Sequence, residues 1–218
     1  MIKILKYGEV PNSEIFARGT SAADVSSVVS EIIGDVRSRG DEALFEYCKK
    51  FDKAELSSLA VSEEEIDEAF ASVEPRFIEI LKKAAANIRK FHEQQKRSSF
   101  IINDDRGVVM GQKVIPVDCA GLYVPGGTAA YPSTVLMDSI PAKIAGCREV
   151  VIVTPPNAQG KIAPVILAAA RIAGVDRIFK VGGAQAIAAL AYGTETVPKA
   201  DKIVGPGNAF VAEAKKQV

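Results

Sequence analysis

The hydrophobic pattern in the second half of the chain repeats one arrangement four times. Short runs rich in Val and Ile end at Val124, Val153, Val181 and Val204, and each run leads into a loop rich in Gly or Pro. An apolar helical pattern follows every loop. Strands that alternate with helical segments in this way predict a parallel sheet with crossover helices.

The loops after these strands are the first candidates for a ligand site. Ligands of open parallel sheets bind outside the carboxyl ends of the strands, where such loops lie. Loops rich in Gly also leave backbone N–H groups exposed in front of helix N-termini, which suits a phosphate-bearing ligand. The pattern therefore predicts a nucleotide-type site.

The first half of the chain has the spacing of amphipathic helices. Apolar residues recur at intervals of three and four over residues 25–36, with Ser21 as the predicted N-cap and Gly40 as the end. Asp41 is predicted to cap a second helix, whose apolar face extends to Phe51.

Two further helices and a hairpin follow along the chain. Ser62 and Glu65 have the spacing of a capping box, which predicts a helix start. The longest helical pattern covers about residues 75–95 and has one apolar stripe. Between about residues 100 and 117 a turn-rich cluster separates apolar runs, which predicts a hairpin or a pair of strands. We place a domain boundary near residue 118.

The charge balance and the length of the apolar runs argue against two classes of partner. The 218 residues include 27 Lys and Arg and 27 Asp and Glu, so no basic excess points to nucleic acid. Basic side chains on the long helix are interpreted as a solvated face. No apolar run is long enough to span a bilayer, and no membrane partner is predicted.

Cysteine usage favours the cytoplasm. Cys48, Cys119 and Cys147 form no CxxC pair, and an odd number of cysteines cannot pair fully. Cys48 and Cys147 stand among apolar neighbours and are predicted to be buried free thiols. With no signal peptide in the sequence, this indicates a cytoplasmic protein.

The titratable residues form no recognisable catalytic set. His92 is the single histidine and is predicted to face solvent on a charged helix, so no zinc site is expected in this chain. GxSxG and HExxH motifs are absent. Glu195 and Asp201 are isolated carboxylates near the predicted ligand edge and are interpreted as surface charges.

Three residues of the loop regions are candidates for ligand binding, and each has a structural alternative. Tyr123 alternates with apolar neighbours in a strand, so its ring can stack on a base or fill a core. Gln185 follows a Gly-Gly pair in the first turn of an apolar helix, where a ligand role and a solvent-exposed position are both open. Asn208 can cap a helix or hold a ligand.

Other features of these loops carry less information. The segment GPGNAF begins like a dinucleotide fingerprint, but Phe210 occupies the position that needs Gly or Ala, so the match is weak. The pair Gly126-Gly127 frees the first loop of side chains, and Ser133 and Thr134 are predicted to cap the helix after it. The last helical pattern reaches Val218 without a stop signal, so a fraying helix and a cut boundary are both open.

Several long strings of this sequence resemble the histidinol dehydrogenase family. In chain order they are GLYVPGGTAAYPSTVLMDSIPAKIAGC, VVIVTPP, VGGAQAIAALAYGTETVPKADKI and GPGNAFVAEAKKQV. The resemblance is dense over residues 114–218 and looser over the helical first half. It implies an incomplete Rossmann-like sheet with flanking helices in residues 118–218, preceded by the helical region and hairpin of residues 1–117.

The resemblance also implies a reaction and its cofactors. Family members oxidise L-histidinol to L-histidine through L-histidinal, a step of histidine biosynthesis, and use two NAD in succession. A zinc ion holds the substrate, a Glu–His pair supplies acid/base function, and the enzyme is an intertwined homodimer. The family positions that bind NAD match Tyr123, Gln185 and Asn208.

The main departure from the family is length. Family members are much longer than this chain, and the residues implied for zinc, for acid/base function and for histidinol lie beyond Val218. The chain is therefore expected to be the truncated NAD-side portion and to be inactive alone. One alternative is a non-catalytic nucleotide-binding or assembly module. Another is a distantly aldehyde-dehydrogenase-like enzyme, against which the lack of a Cys in a plausible nucleophile loop counts.

Overall fold

A computed structural model describes residues 4–16, 24–126 and 130–218, so the predicted N-cap Ser21 and the loop residue Gly127 lie outside the described residues. The helices are α1 (Asn12–Ile15), α2 (Ser26–Arg39), α3 (Asp41–Tyr47), α4 (Glu63–Ser72), α5 (Pro75–His92), α6 (Pro132–Ala145), α7 (Pro164–Ala173), α8 (Gly183–Tyr192) and α9 (Ala209–Gln217). The strands are β1 (Phe100–Asn103), β2 (Val109–Gln112), β3 (Cys119–Tyr123), β4 (Glu149–Thr154), β5 (Arg177–Lys180) and β6 (Lys202–Val204). A π-helical turn (Cys48–Asp52) continues α3, and a 3₁₀ turn (Glu93–Gln95) continues α5.

Strands β3 to β6 form a parallel sheet in the spatial order β5-β4-β3-β6. This order, 3-2-1-4, matches the first four positions of the Rossmann order 3-2-1-4-5-6. Tyr123 is paired with Val153, and Leu122 with Val204, so the carboxyl ends of these strands lie at one edge. The predicted incomplete Rossmann-like sheet with flanking helices is therefore confirmed.

Alternate residues of the strands face two separate cores. Val153 and Phe179 pack with α2, α3, α8 and α9 on one face, whereas Leu122 and Ile152 pack with α4, α5, α6 and α7 on the other. Near-continuous Val and Ile runs are expected for a parallel sheet that is covered on both faces. Helices from the N-terminal region contribute to both cores. The domain boundary near residue 118 therefore stays a prediction.

Two predicted helix starts are confirmed. The Ser62 hydroxyl accepts the Glu65 N–H at 3.2 Å, and the Glu65 carboxylate accepts the Ser62 N–H at 3.2 Å, which completes the capping box of α4. Pro75 occupies the first turn of α5, where its missing N–H leaves no helical hydrogen bond unmade. Helix α5 and its 3₁₀ turn together end at Gln95, as the periodicity predicts.

Two predicted caps are wrong. Asp41 is the first residue of α3, and its carboxylate accepts hydrogen bonds from the backbone N–H and the hydroxyl of Thr196 instead of capping its own helix. Ser133 and Thr134 lie inside the first turn of α6, which makes no side-chain cap hydrogen bond. Both predictions rested on residue type alone, whereas a cap also needs an extended backbone at that residue.

Strands β1 and β2 form the predicted hairpin. They pair antiparallel, with Phe100 opposite Gln112, and their apolar side chains face outwards. Ile101 is 75% exposed and Val109 is 68% exposed. Among the described residues, no helix is both long enough and apolar enough to cross a membrane.

The cysteines are free thiols. Cys48 and Cys119 are buried, whereas Cys147 is only half-buried. The sequence predicts burial of Cys48 and Cys147, and this is confirmed for Cys48 only. Burial raises the pKa of the Cys48 thiol to about 12. It raises the pKa of the Cys119 thiol to about 11. Thiols of this kind are unreactive at neutral pH.

Candidate functional site

A cavity of about 680 Å³ opens at the carboxyl edge of the parallel sheet. Its walls come from α2, from the π-helical turn, from the loops after β3, β4 and β5, and from the start of α9. The volume lies within the range of about 300–1,000 Å³ that is usual for small-molecule sites. Tyr123, Gln185 and Asn208, which the sequence singles out separately, all line this one cavity.

Tyr123 is a buried residue of the cavity wall with a hydrogen-bonded hydroxyl. Its side chain is 95% buried, with 5% relative exposure, and its hydroxyl oxygen accepts the Gly183 N–H at 3.1 Å. Burial raises the pKa of the phenol, and the hydrogen bond from Gly183 opposes that rise. The group is therefore a neutral phenol near pH 7, with an O–H that remains able to donate.

Gln185 brings an unpaired amide to the same cavity. Its side chain is 2% exposed, and among the described residues its amide has no hydrogen-bond partner. Because Gln185 lines the cavity, its amide donors and acceptor are available there to a ligand or to water. The solvent-exposed alternative for Gln185 is wrong, because the residue is buried.

A glycine makes room for this amide. Gly183 opens α8 with φ of 66°, and a Cβ atom there would lie 2.6 Å from the Gln185 Oε1. An L side chain rarely adopts that backbone conformation, and a Cβ atom there would displace the end of the Gln185 side chain. The Gly-Gly pair that the sequence shows before α8 therefore leaves room for the Gln185 amide in its present position.

Asn208 has two roles that the sequence leaves as alternatives. It is the N-cap of α9, where its Oδ1 accepts the Val211 N–H at 3.1 Å. Its amide Nδ2 has no hydrogen-bond partner within the described part of the chain, and the residue lines the cavity. Capping thus orients the side chain so that its remaining donors are available to a ligand.

Two wall residues are missed by the sequence patterns. Phe51 and Asp52 belong to the π-helical turn after α3, where periodicity predicts an apolar helical face. Phe51 is 49% exposed and stacks on Tyr47 with ring centroids 5.5 Å apart. Burial raises the pKa of the Asp52 carboxyl to about 6. No signal in the sequence identifies Asp52, because its position depends on how the turn packs over the sheet edge.

Two acidic residues lie away from the cavity. Asp201 was expected near the ligand edge, yet its carboxylate accepts the N–H of Cys119, the first residue of β3, at 2.8 Å. It therefore lies at the opposite, amino edge of the sheet. Glu195 accepts the Asp41 N–H at 2.8 Å and is part of the packing between α3 and the loop after α8.

No metal site accompanies the cavity in the part of the chain that the structure describes. No group of three or more His, Cys, Asp and Glu side chains there has an arrangement that would hold a metal ion. His92 lies at the end of α5, where a ring nitrogen is 2.7 Å from the Gln95 Oε1. The described polar side chains of the cavity wall are Asp52, Tyr123, Gln185 and Asn208, which can form hydrogen bonds with an organic ligand.

Comparisons with known proteins agree with the fold and identify a family. A family model described as histidinol dehydrogenase matches residues 17–218. The histidinol dehydrogenase of Methanosarcina barkeri is 50% identical over 217 residues, which are 99% of this chain and 50% of that protein. That of Clostridium acetobutylicum is 50% identical over 223 residues, which are 100% of this chain and 52% of that protein.

A solved structure gives the same result. The crystal structure of histidinol dehydrogenase from Elizabethkingia anophelis superposes with a TM-score of 0.90 at 43% identity, covering 95% of this chain and 49% of that one. The chain thus spans about half the length of the curated relatives it matches. From the family match and these likenesses together, the chain belongs to the histidinol dehydrogenase family.

Proposed function

We propose that the cavity at the sheet edge binds NAD, and that the chain is the cofactor-binding portion of an enzyme that oxidises L-histidinol to L-histidine through L-histidinal. The step belongs to histidine biosynthesis, and we propose a cytoplasmic homodimer as its setting. The observation that carries the proposal is that Gln185, a polar residue only 2% exposed, lines the same cavity as Tyr123 and Asn208. The proposed reaction is inferred from the membership of this chain in the histidinol dehydrogenase family.

The three residues would bind and orient the cofactor. NAD, when bound, accepts a hydride from the substrate at its nicotinamide ring. The Gln185 amide offers one acceptor and two donors, the Asn208 Nδ2 offers donors, and the Tyr123 hydroxyl offers one donor. Because Tyr123 and Asn208 are each fixed by a backbone N–H, their geometry is set before the ligand arrives.

The zinc ion and the acid/base pair do not fit the described residues of this chain. No metal-binding group exists among them, and His92 is engaged at the end of α5. We therefore propose that these groups belong to the half of the family's length that this chain does not span. The 218-residue chain alone is then expected to bind NAD without oxidising histidinol.

Calorimetric titration of NAD into the purified chain, with and without zinc, tests the proposal. We expect saturable binding that zinc does not change and that Gln185→Leu weakens about tenfold. Gln94→Leu is the matched control, because Gln94 lies in the exposed 3₁₀ turn after α5. Absence of binding, or equal binding by Gln185→Leu, would contradict an NAD site in this cavity.

The activity claim needs a separate assay. The chain is mixed with the separately expressed second half of a curated relative, and NADH formation from histidinol is followed with zinc present. Activity of the mixture, with none from the chain alone, is the expected result. Zinc-dependent NADH formation by the chain alone would overturn the proposed inactivity.

The exposed hairpin favours a second candidate, an assembly module without catalysis. Ile101 and Val109 place large apolar side chains in solvent on β1 and β2. Exposed apolar patches of this kind commonly mark contact surfaces. Saturable NAD binding would favour the cofactor-binding proposal, whereas association without NAD binding would favour the assembly module.

A further inference from the structure

Dinucleotide sites of this fold usually place an acidic residue at the end of the second strand, where it accepts hydrogen bonds from the adenosine ribose. In this sheet the second strand is β4, which ends in the sequence Thr154-Pro155-Pro156-Asn157. No carboxylate side chain lies at this strand end. An NAD site in this chain therefore needs a ribose acceptor from another element.

Asp52 brings a carboxylate to the cavity from outside the sheet. It ends the π-helical turn after α3 and lines the cavity together with Pro155 and Pro156, which follow β4. It is the only charged residue among the described residues of the wall. A carboxylate is purely an acceptor, and the vicinal hydroxyls of a ribose are two adjacent donors.

The Asp52 carboxylate has no partner within the described part of the chain. Its Oδ2 is buried and makes no hydrogen bond. The neighbouring lysines are engaged elsewhere, since Lys49 pairs with Glu55 at 2.5 Å and Lys53 donates to the Lys50 carbonyl at 2.8 Å. A carboxylate oxygen that is buried without a partner destabilises a fold. Because Asp52 also lines the cavity, its carboxyl group is a candidate ligand contact.

We propose that Asp52 accepts hydrogen bonds from the ribose hydroxyls of the adenosine half of NAD and thereby excludes NADP. This inference rests on the proposed function, since it assigns one contact within the same site. The 2′-phosphate of NADP and the carboxylate are both negatively charged, so they would repel each other. The phosphate also replaces a ribose hydroxyl that would donate a hydrogen bond to the carboxylate. The chain thus replaces the usual acidic residue of the second strand by one that a helical turn supplies.

The test is a calorimetric titration of NAD and of NADP into the unaltered chain, into Asp52→Asn and into Glu55→Gln. The unaltered chain is expected to prefer NAD strongly. Asp52→Asn should weaken NAD binding about tenfold and reduce the NAD-to-NADP preference by at least about tenfold, because hydrogen bonds to a charged group and the repulsion are both lost. Glu55→Gln removes the same charge three residues away, outside the cavity, and should change neither value.

Thermal unfolding of the same variants separates a ligand contact from a structural role. Asp52→Asn is expected to raise the unfolding midpoint by a few degrees, because an unpaired carboxylate is removed from a partly buried position. A lower midpoint with an unchanged NAD-to-NADP ratio would overturn the inference. Equal affinity of the unaltered chain for NAD and NADP would also overturn it.

The two proposals fail in different ways. NAD binding that Asp52→Asn leaves intact would overturn the role of Asp52 and leave the NAD site standing. Absence of NAD binding to the unaltered chain would overturn the proposed function, and the assignment of Asp52 would fall with it.

Discussion

The two edges of the parallel sheet differ in how their polar groups are paired. At the amino edge, Asp176 accepts the Val150 N–H at 2.7 Å and the Lys143 ammonium at 2.5 Å, and Asp201 accepts the Cys119 N–H at 2.8 Å. At the carboxyl edge, the buried Oδ2 of Asp52 has no partner among the described residues, and Gln185 presents its side-chain amide to the same cavity.

This difference separates structural polar groups from binding groups. Paired groups at the amino edge satisfy strand N–H donors and are accounted for by the fold alone. Unpaired groups at the carboxyl edge reduce stability in the absence of a ligand, and natural proteins keep such groups mainly at functional sites. The four predictions below use substitutions at each edge, from the largest expected effect to the smallest.

A substitution at the amino edge should lower the free energy of unfolding without changing the affinity for NAD. Asp176→Ala leaves a buried strand N–H without its acceptor and removes an ion pair, and we expect a loss of about 2–3 kcal/mol in the free energy of unfolding. Urea denaturation measures this loss, and NAD affinity of the folded protein should not change. Asp105→Ala, in the exposed hairpin turn, is the control and should change stability by less than about 0.5 kcal/mol. A tenfold loss of NAD affinity in Asp176→Ala would contradict the claim that polar groups at the amino edge serve only the fold.

Gln185 should give the opposite result. Gln185→Leu replaces a cavity-lining amide by an apolar group of similar size and removes no hydrogen bond with the described residues, so the free energy of unfolding should change little. NAD affinity should fall about tenfold, equivalent to about 1.4 kcal/mol. A fall in stability of more than about 1 kcal/mol with unaltered affinity would mean that Gln185 serves the fold.

Asn208 combines both behaviours, and two substitutions separate them. Asn208→Ala removes the cap of α9 and the free amide, so stability should fall by about 1 kcal/mol and NAD affinity should fall as well. Asn208→Ser keeps a capping hydroxyl, so it should preserve the unfolding midpoint while still weakening NAD binding. Equal midpoints for the two variants would show that the cap contributes little.

Asp52 should give the smallest effect, a dependence of stability on pH. Its pKa in the folded chain is about 6, above the ordinary value of 3.8, so the folded state binds this proton more tightly than the unfolded state does. The group therefore adds stability as the pH falls from about 7 to about 4, in contrast to carboxyls such as Asp35, whose pKa is lowered by its hydrogen bond with Arg39.

The neighbours of Asp52 should not mask this effect. The Cys48 thiol and the Tyr123 phenol lie close to it, and burial raises the pKa of both, so they stay neutral over this range. A pKa of about 6 against 3.8 corresponds to a change of about 1.3 kcal/mol in the free energy of unfolding between pH 7 and pH 5. Because the carboxyl is only partly buried, solvent screening reduces this change, and the stability advantage of Asp52→Asn over the unaltered chain should shrink by about 0.5–1 kcal/mol. Urea denaturation at the two pH values measures this difference, and a constant advantage would contradict the assigned pKa.

Much of the fold is predictable from the sequence because its signals are local. Strand runs that end in loops rich in Gly or Pro, the Ser62–Glu65 capping box and the long periodic helix α5 each depend on a few neighbouring residues. Tyr123, Gln185 and Asn208 are identifiable as candidates because a parallel sheet brings the carboxyl ends of its strands together.

The remaining features depend on tertiary placement. Asp52 reaches the cavity only because a π-helical turn follows α3 and packs over the sheet edge. No residue pattern in the sequence predicts this turn. The carboxylate of Asp41 binds Thr196, a residue 155 positions away, instead of its own helix. Asp201 likewise lies at the amino edge because its partner is the first strand of the sheet.

The most direct test of the difference between the two edges is an NMR titration of the chain with NAD. The side-chain amide signals of Gln185 are assigned from their loss in Gln185→Leu, and the backbone N–H signals of Cys119 and Val150 report on the amino edge. Saturable shifts of the Gln185 amide, with the Cys119 and Val150 signals unmoved, are the predicted result. Shifts at the amino edge, or none at Gln185, would contradict the account.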